Sequence, residues 1–320
     1  MDNDLITGRG VAQRIIENVE KVIVGKHATV ELAVIGLMSK GHLLIEDAPG
    51  VGKTMLARSL ARSVDCSFKR IQFTPDMLPG DITGVSVYNQ KTADFEFRPG
   101  PIIANIVLAD EINRATPKVQ SALLECMEEN QITVDGAAHR MPSPFHVLAT
   151  QNPIEYEGTF PLPETQLDRF LLRISLGYPS IADEIAIMEK QHFTHPIELL
   201  TPVTDGQEVL ELESVVRKVF VDELVRQYIA ALVAATRQHP GIRLGASPRA
   251  SLALFRTIQA RALLSGRDYV LPDDVKYMAA HVLAHRLILR SKEQSEDRTG
   301  RSLIREILET VPVPGTLARR

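Results

Sequence analysis

An eight-residue segment near the start of the chain combines glycines with a lysine and a hydroxyl side chain. It runs Asp47-Ala48-Pro49-Gly50-Val51-Gly52-Lys53-Thr54 and matches the phosphate-binding loop pattern, except that Asp47 replaces its first glycine. Glycines let the backbone N–H groups of such a loop turn toward phosphates, and the following helix presents its positive end to them. We expect Lys53 to reach the β- and γ-phosphates of a nucleotide and Thr54 to bind magnesium. An ordinary glycine-rich turn is the alternative.

Two carboxylates form a second group of candidate residues. Asp110 and Glu111 directly follow the apolar run 106–109. The carboxyl ends of parallel strands meet at the edge of the sheet where α/β proteins bind ligands. There Asp110 would hold the magnesium shell, and Glu111 would polarise the water that attacks the γ-phosphate. Exposed acids at a strand end are the alternative, and the upstream loop favours the catalytic interpretation.

Alternating strands and helices are predicted around these residues. The loop lies between a predicted strand at 43–46 and a helix at 54–64, and further strands are predicted at 67–73, 105–109, 145–150 and 171–176. Thr116 and Pro117 are typical of a helix start, and that helix reaches Glu129. This alternation predicts an α/β fold with a parallel sheet covered by helices on both faces.

The chain divides into two predicted domains. Strand signals vanish after Pro179, and helices are predicted at 183–191, 208–216, 222–238, 248–265 and 272–285. We therefore predict an α/β domain over 1–178 and an all-helical domain over 179–320. Two β-hairpins interrupt the first domain, one pairing 85–88 with 95–97 and one pairing 131–134 with 138–141 around Asp135-Gly136.

Composition narrows the class of protein. Of the 320 residues 44% are hydrophobic, the net charge is −4, and Cys66 and Cys126 are the only cysteines. A disulfide framework and a strongly basic nucleic-acid surface are disfavoured, and bases between Arg286 and Arg305 alternate with acids as on a solvated face. The absence of a long apolar run predicts no membrane span and a cytoplasmic location.

Four sequence blocks closely resemble the MoxR branch of the AAA+ ATPases. In chain order they are Asp110-Glu111-Ile112-Asn113-Arg114-Ala115, Ala149-Thr150-Gln151-Asn152-Pro153, Gly158-Thr159-Phe160-Pro161-Leu162-Pro163-Glu164 and Leu167-Asp168-Arg169-Phe170. The resemblance implies a nucleotide-binding core with a five-stranded parallel sheet, followed by a helical lid. It further implies ATP hydrolysis with Mg²⁺ in a ring, expected to be a hexamer, that remodels or activates partner proteins. A separate polypeptide with a von Willebrand factor A domain is the expected partner.

The same resemblance assigns roles to individual residues. Asn152 matches the sensor 1 residue, Arg169 the arginine finger inserted into the neighbouring subunit's site, and Arg249 the sensor 2 residue of the lid. Val24 and Gly25 resemble the adenine-contacting segment, and Met55 completes the nucleotide contacts that Pro49, Gly50, Val51, Gly52, Lys53 and Thr54 begin. Alternatives are a turn at Asn152, a salt bridge between Arg169 and a nearby acid, an ordinary exposed helix arginine at Arg249, and a core position at Val24.

Two other functions compete with a remodelling motor. A nucleotide-dependent assembly switch with little turnover has no use for the group Glu111, Asn152 and Arg169, which therefore disfavours it. A motor subunit related to magnesium chelatase, or one acting on nucleic acid, is the second competitor. The acidic net charge disfavours nucleic acid, and the relation to chelatase stays open.

Overall fold

A computed structural model of the chain describes residues 3–152, 159–192, 195–290 and 299–313. The helices are α1 Asn3–Glu20, α2 His27–Met38, α3 Lys53–Ser63, α4 Pro79–Thr83, α5 Pro117–Glu129, α6 Glu164–Leu167, α7 Ile181–Lys190, α8 Pro196–Leu199, α9 Gly206–Val216, α10 Glu223–Gln238, α11 Pro248–Leu264, α12 Pro272–Leu283 and α13 Gly300–Thr310. The strands are β1 Leu43–Glu46, β2 Phe68–Gln72, β3 Gly84–Asn89, β4 Asp94–Pro99, β5 Ile106–Asp110, β6 Gln131–Val134, β7 Ala137–Arg140, β8 His146–Gln151, β9 Leu172–Ile174, β10 Ile242–Leu244 and β11 Ile288–Leu289. Pro153 and Gly158 of the motifs, and 291–298 of the basic segment, lie outside the described residues.

Contacts between Cα atoms divide the chain into two compact units. The larger unit comprises Arg14–Leu162 and Ile174–Leu210, and the helical unit comprises Met1–Gln13, Pro163–Arg173 and Glu211–Arg320. Neither unit is a single continuous segment, because the chain passes more than once between them. The domain boundary near residue 178 stays a prediction.

A five-stranded sheet forms the centre of the larger unit. Its strand order is β2-β5-β8-β1-β9, and the pairs β2–β5, β5–β8 and β1–β8 are parallel in register. Every residue of β5 is buried, as is typical of a strand covered on both faces. The predicted α/β fold with a five-stranded parallel sheet is confirmed. Because β1, β5 and β8 run the same way, the segments that follow them meet at one edge.

The two predicted hairpins are present in the larger unit. β3 pairs with β4, and β6 pairs with β7 through Asp135 and Gly136, whose φ angles are 49° and 81°. Positive φ at both central residues is the backbone of a type I′ turn, which Asp-Gly favours. The rings of Phe97 and His139 stack with their centroids 3.9 Å apart, so the two hairpins contact each other.

Helices α10 to α13 form most of the helical unit, and Tyr228 of α10 is fully buried among them. A short antiparallel pair, β10 with β11, accompanies these helices. Strands of two and three residues are too short to show apolar alternation, which explains why neither strand was predicted. Among the described residues, no helix combines the length and apolar character needed to span a membrane.

Candidate functional site

The glycine-rich loop joins β1 to α3 with a backbone that requires its glycines. Gly50 and Gly52 have φ angles of 81° and 97°, in the left-handed region that a Cβ atom disfavours. An added Cβ at Gly50 would meet nothing within 4 Å, so backbone conformation rather than space explains this glycine. Gly52 is the N-cap of α3, and the first intrahelical bond runs from Leu56 N–H to Gly52 O at 3.0 Å. The N–H groups of the first helical turn therefore lack intrahelical acceptors and can bind an anion.

A cavity of about 330 Å³ lies against this loop. Its lining residues come from the loop, the start of α3, β2 and the end of β5. They are Pro49, Gly50, Gly52, Lys53, Thr54, Met55, Arg70, Asp110 and Glu111. The fold thus brings the predicted phosphate-binding residues and both predicted acids to one cavity. Val24, Gly25 and Val51 are outside this lining set.

Asp47 occupies the position at which the general loop pattern has a glycine, and its carboxylate is buried in a network of hydrogen bonds. It accepts from Ser175 Oγ at 2.9 Å, from the N–H of Leu176 at 2.5 Å and from the N–H of Gly177 at 3.1 Å. The carbonyl oxygen of Asp47 accepts from Lys53 Nζ at 2.9 Å. This residue therefore connects the loop to the segment that follows β9 and holds the lysine ammonium beside the loop.

Asp110 has a defined partner at each carboxylate oxygen. Thr150 Oγ1 donates to Oδ1 at 2.6 Å, and Arg70 donates to Oδ2 from Nε at 3.0 Å and from Nη2 at 2.6 Å. Thr150 Oγ1 also accepts from the N–H of Glu111 at 2.8 Å. β8 therefore fixes both the side chain of Asp110 and the backbone of Glu111.

Glu111 sits on a strained turn at the end of β5. Its φ is 58° and its ψ is 50°, a left-handed conformation that is uncommon for a residue other than glycine. Its carboxylate accepts from Gln72 Nε2 at 2.7 Å and from Arg114 Nη1 at 3.2 Å. Such outliers persist where the surrounding structure holds them, and they cluster at functional sites.

Asn152 lies at the sheet edge where β5 and β8 end, whereas Val24 and Gly25 lie in a turn elsewhere in the larger unit. Asn152 is buried directly after β8, between the ends of β5 and β1, and its carbonyl oxygen accepts from Asn113 Nδ2 at 3.3 Å. Val24 and Gly25 form the turn between α1 and α2. Gly25 has a φ of 71°, and a Cβ there would lie 2.2 Å from the Asp183 carboxyl carbon, so only glycine fits.

Arg169 and Arg249 belong to the helical unit. The buried Arg286 and the carboxylate of Asp168 connect the segments that carry them. Arg286 Nε donates to Asp168 Oδ1 at 2.8 Å, and its Nη2 donates to the Phe170 carbonyl at 2.6 Å. Ser247 Oγ donates to Asp168 Oδ2 at 3.0 Å. Asp168 thereby joins the turn that carries Arg169 to the N-cap of α11, whose first turn carries Arg249.

Arg286 is an exception to the solvated face predicted over 286–305, of which Arg290 and Arg305 are exposed. Its side chain is 2% exposed, and burial lowers its pKa to about 10, while the Asp168 carboxylate acts in the opposite direction. At neutral pH the guanidinium is still charged, and carboxylate and carbonyl oxygens surround it. Alternation of charges predicted exposure here, whereas the hydrogen-bonding capacity of a planar guanidinium allowed burial.

Comparison with known proteins gives the family. Residues 42–172 match the model of the ATPase family associated with various cellular activities, and residues 234–307 match the AAA lid domain. Protein YeaC of Bacillus subtilis is 52% identical over 93% of this chain and 93% of its own. Chaperone MoxR1 of Mycobacterium tuberculosis is 43% identical over 94% of this chain and 82% of its own.

The chain belongs to the MoxR family of AAA+ ATPases. A crystal structure of a candidate ATPase from Cytophaga hutchinsonii has the same fold, with a TM-score of 0.89 and 40% identity over 97% of both chains. Within this chain, the first family match includes the phosphate loop, both acids and Arg169, and the lid match includes Arg249. The predicted family and the helical lid in the C-terminal region are confirmed.

Three polar residues of this site were not predicted from the sequence as functional candidates. Arg70 and Gln72 lie on the same face of β2 and contact Asp110 and Glu111, and Thr150 contacts both acids from β8. The alternation of Arg70 and Gln72 on the strand next to β5 was the available signal. It could have been used only once the strand order was known, because β2 and β5 are separated by both hairpin strands.

Proposed function

We propose that the chain hydrolyses ATP with Mg²⁺ at the cavity beside the phosphate loop. One observation carries this proposal: Lys53, Thr54, Asp110 and Glu111 line the same cavity of about 330 Å³. The first turn of α3 offers N–H groups and a lysine to the phosphates. Glu111, held at the strand end, is the group that polarises the attacking water.

Magnesium fits the oxygen donors at this cavity. The hydroxyl of Thr54 and the carboxylate of Asp110 are hard ligands of the kind that Mg²⁺ prefers, and both line the cavity with the phosphate loop. Bound there, Mg²⁺ would neutralise negative charge on the nucleotide phosphates. Thr150 holds one Asp110 oxygen and so orients the carboxylate.

We further propose a ring in which each cavity is completed by Arg169 of the neighbouring subunit, with Asn152 and Arg249 as the nucleotide sensors. The expected ring is a hexamer that acts as a chaperone-like remodeller or activator of other proteins in the cytoplasm. Similarity to the chaperone of Mycobacterium tuberculosis supports that role. The von Willebrand factor A domain partner is part of the same proposal and rests on the family resemblance.

Glu111→Gln tests the hydrolysis. The amide keeps the size of the side chain and its contacts to Gln72 and Arg114 but cannot act as a base, so turnover should fall by about a hundredfold or more. The affinity for a fluorescent ATP analogue, measured by titration, should stay within about threefold of wild type because Lys53, Thr54 and Asp110 are intact.

Glu128→Gln is the matched control, since this exposed glutamate of α5 lies away from the cavity lining. It should leave both phosphate release and nucleotide binding at wild-type values. Wild-type hydrolysis by the Glu111→Gln variant would contradict the assignment of Glu111, and failure of the wild-type protein to bind ATP would contradict the whole proposal.

A further inference from the structure

Arg70 makes a contact that the proposed hydrolysis does not explain. Its guanidinium binds Oδ2 of Asp110 through two nitrogens, at 3.0 Å and 2.6 Å, and it also lines the cavity. The other oxygen, Oδ1, is taken by the Thr150 hydroxyl at 2.6 Å. The second oxygen of the Asp110 carboxylate is therefore occupied by an arginine of the neighbouring strand.

A magnesium ion and this guanidinium need the same oxygen. Mg²⁺ binds oxygen ligands and keeps bound waters, and Thr150 already occupies one acceptor site of Oδ1, so we expect the ion or one of its waters to approach through Oδ2. A guanidinium already bonded there blocks that approach and adds a second positive charge to the cavity that Lys53 also lines. The arrangement makes Arg70 and the metal competitors.

Arg70 is able to leave Asp110 at moderate cost. Its side chain is 48% exposed, whereas that of Asp110 is 9% exposed, so water can take over the released guanidinium. Its other described bond, from Nη2 to Gln72 Oε1 at 2.7 Å, lies on the same strand and can persist. The carboxylate, by contrast, stays fixed by Thr150 when its cation changes.

We infer that Arg70 is a built-in counter-ion of Asp110 that Mg²⁺ must displace. The inference deepens the proposed function, because it rests on nucleotide and magnesium binding at this cavity. Arg70 neutralises the buried carboxylate, while Thr150 holds its orientation. Loading of Mg²⁺ with the nucleotide moves the guanidinium off Oδ2, which sets the magnesium concentration that the site requires.

The test is a magnesium titration of the binding of fluorescent ADP to the full chain, starting in excess chelator and without hydrolysis. Arg70→Gln removes the competitor and should lower the half-saturating Mg²⁺ concentration by about twofold to fivefold, the upper part of the range for an ion pair of this exposure. Arg70→Lys keeps the charge but loses the two-nitrogen contact, so it should give a smaller decrease. At saturating Mg²⁺ all three proteins should bind the nucleotide equally.

Lys69→Gln is the matched control, because it removes one positive charge from the opposite face of the same strand. It should leave the half-saturating Mg²⁺ concentration unchanged. An unchanged or increased value in Arg70→Gln would overturn the inference, since a residue that only supports Asp110 would weaken metal binding on removal. Should Arg70→Gln fail to fold, the direction of the change in Arg70→Lys decides. Failure of the wild type to bind ADP would instead count against the proposed function.

Discussion

The carboxylate of Asp47 shows how one residue adapts a general loop to a particular structure. A glycine at this position would leave the two N–H groups of Leu176 and Gly177 and the Ser175 hydroxyl without their acceptor. Three donors on one buried carboxylate hold the loop against the segment after β9. The departure from the general pattern therefore has a structural function.

We expect Asp47→Gly to lower the free energy of unfolding by about 2 kcal/mol or more, because the donors of residues 175–177 lose a charged acceptor. Asp47→Asn keeps the shape of the side chain and one acceptor oxygen, so it should lower the free energy of unfolding by less. Urea denaturation measures these changes, and Ser175→Ala, which removes one of the three donors, should cost only about 1 kcal/mol. Equal stability of wild type and Asp47→Gly would show that the network carries no net stabilisation.

At the scale of elements, the start of β1 and the start of β8 are joined by a neutral histidine pair. His42 Nδ1 accepts from the Val147 N–H at 3.0 Å, which leaves Nε2–H to donate to the Met127 carbonyl at 3.1 Å. Burial lowers the pKa of His42 to about 4, and burial together with the nearby His42 lowers the pKa of His146 to about 3. Protonation of His42 would place a hydrogen on Nδ1. This nitrogen could then no longer accept the bond from the Val147 N–H, and the two N–H groups would face each other.

The sign of the pH dependence follows from these values. A histidine whose pKa in the folded protein is below its ordinary 6.5 binds protons more tightly in the unfolded chain, so acidification favours unfolding. The stability that the neutral ring contributes is therefore fully present above pH 6.5 and is lost as the pH falls toward 4. We expect the free energy of unfolding to fall by about 2 kcal/mol for His42 between pH 7.5 and pH 5.

Urea denaturation of wild type and His42→Gln at the two pH values measures this contribution. On acidification, the free energy of unfolding of the variant should fall by about 2 kcal/mol less than that of wild type. His27→Gln, at a histidine whose side chain is 66% exposed, is the control and should retain most of the wild-type loss. Parallel pH profiles for wild type and His42→Gln would refute the role of the buried ring.

Local patterns predicted the elements better than they predicted the contacts. β1 and the loop before α3 followed from an apolar run and two glycines, and the Asp135-Gly136 turn from its dipeptide, because each depends on neighbouring residues. The bond between Arg70 and Asp110 joins residues 40 positions apart, and that between Ser175 and Asp47 joins residues 128 apart. Such contacts depend on strand order, which periodicity does not contain.

Across the whole molecule, the residues to which the family resemblance assigns roles belong to different compact units. Lys53, Asp110 and Glu111 lie in the larger unit, while Arg169 lies in the helical unit, on the turn that Arg286 and Asp168 hold. An arginine that stays charged and presents a planar set of donors suits the stabilisation of a transferring phosphoryl group. If that arginine serves the next subunit, activity is a property of the ring.

Mixing two inactive variants tests this arrangement. Arg169→Ala removes the finger and Glu111→Gln removes the water-polarising group, so each variant alone should hydrolyse ATP at least about a hundredfold more slowly than wild type. In a mixed ring, an Arg169→Ala subunit still supplies Glu111, and an adjacent Glu111→Gln subunit supplies the arginine. With random assembly of equal amounts, roughly a quarter of the interfaces combine both groups, and phosphate release should recover to about that fraction of wild type.

A double variant carrying both substitutions, mixed with wild type, is the matched control for dilution. Recovery depends on subunit exchange, which size-exclusion chromatography of differently tagged subunits measures. If the tags co-assemble and activity stays at the level of the single variants, Arg169 does not act in trans.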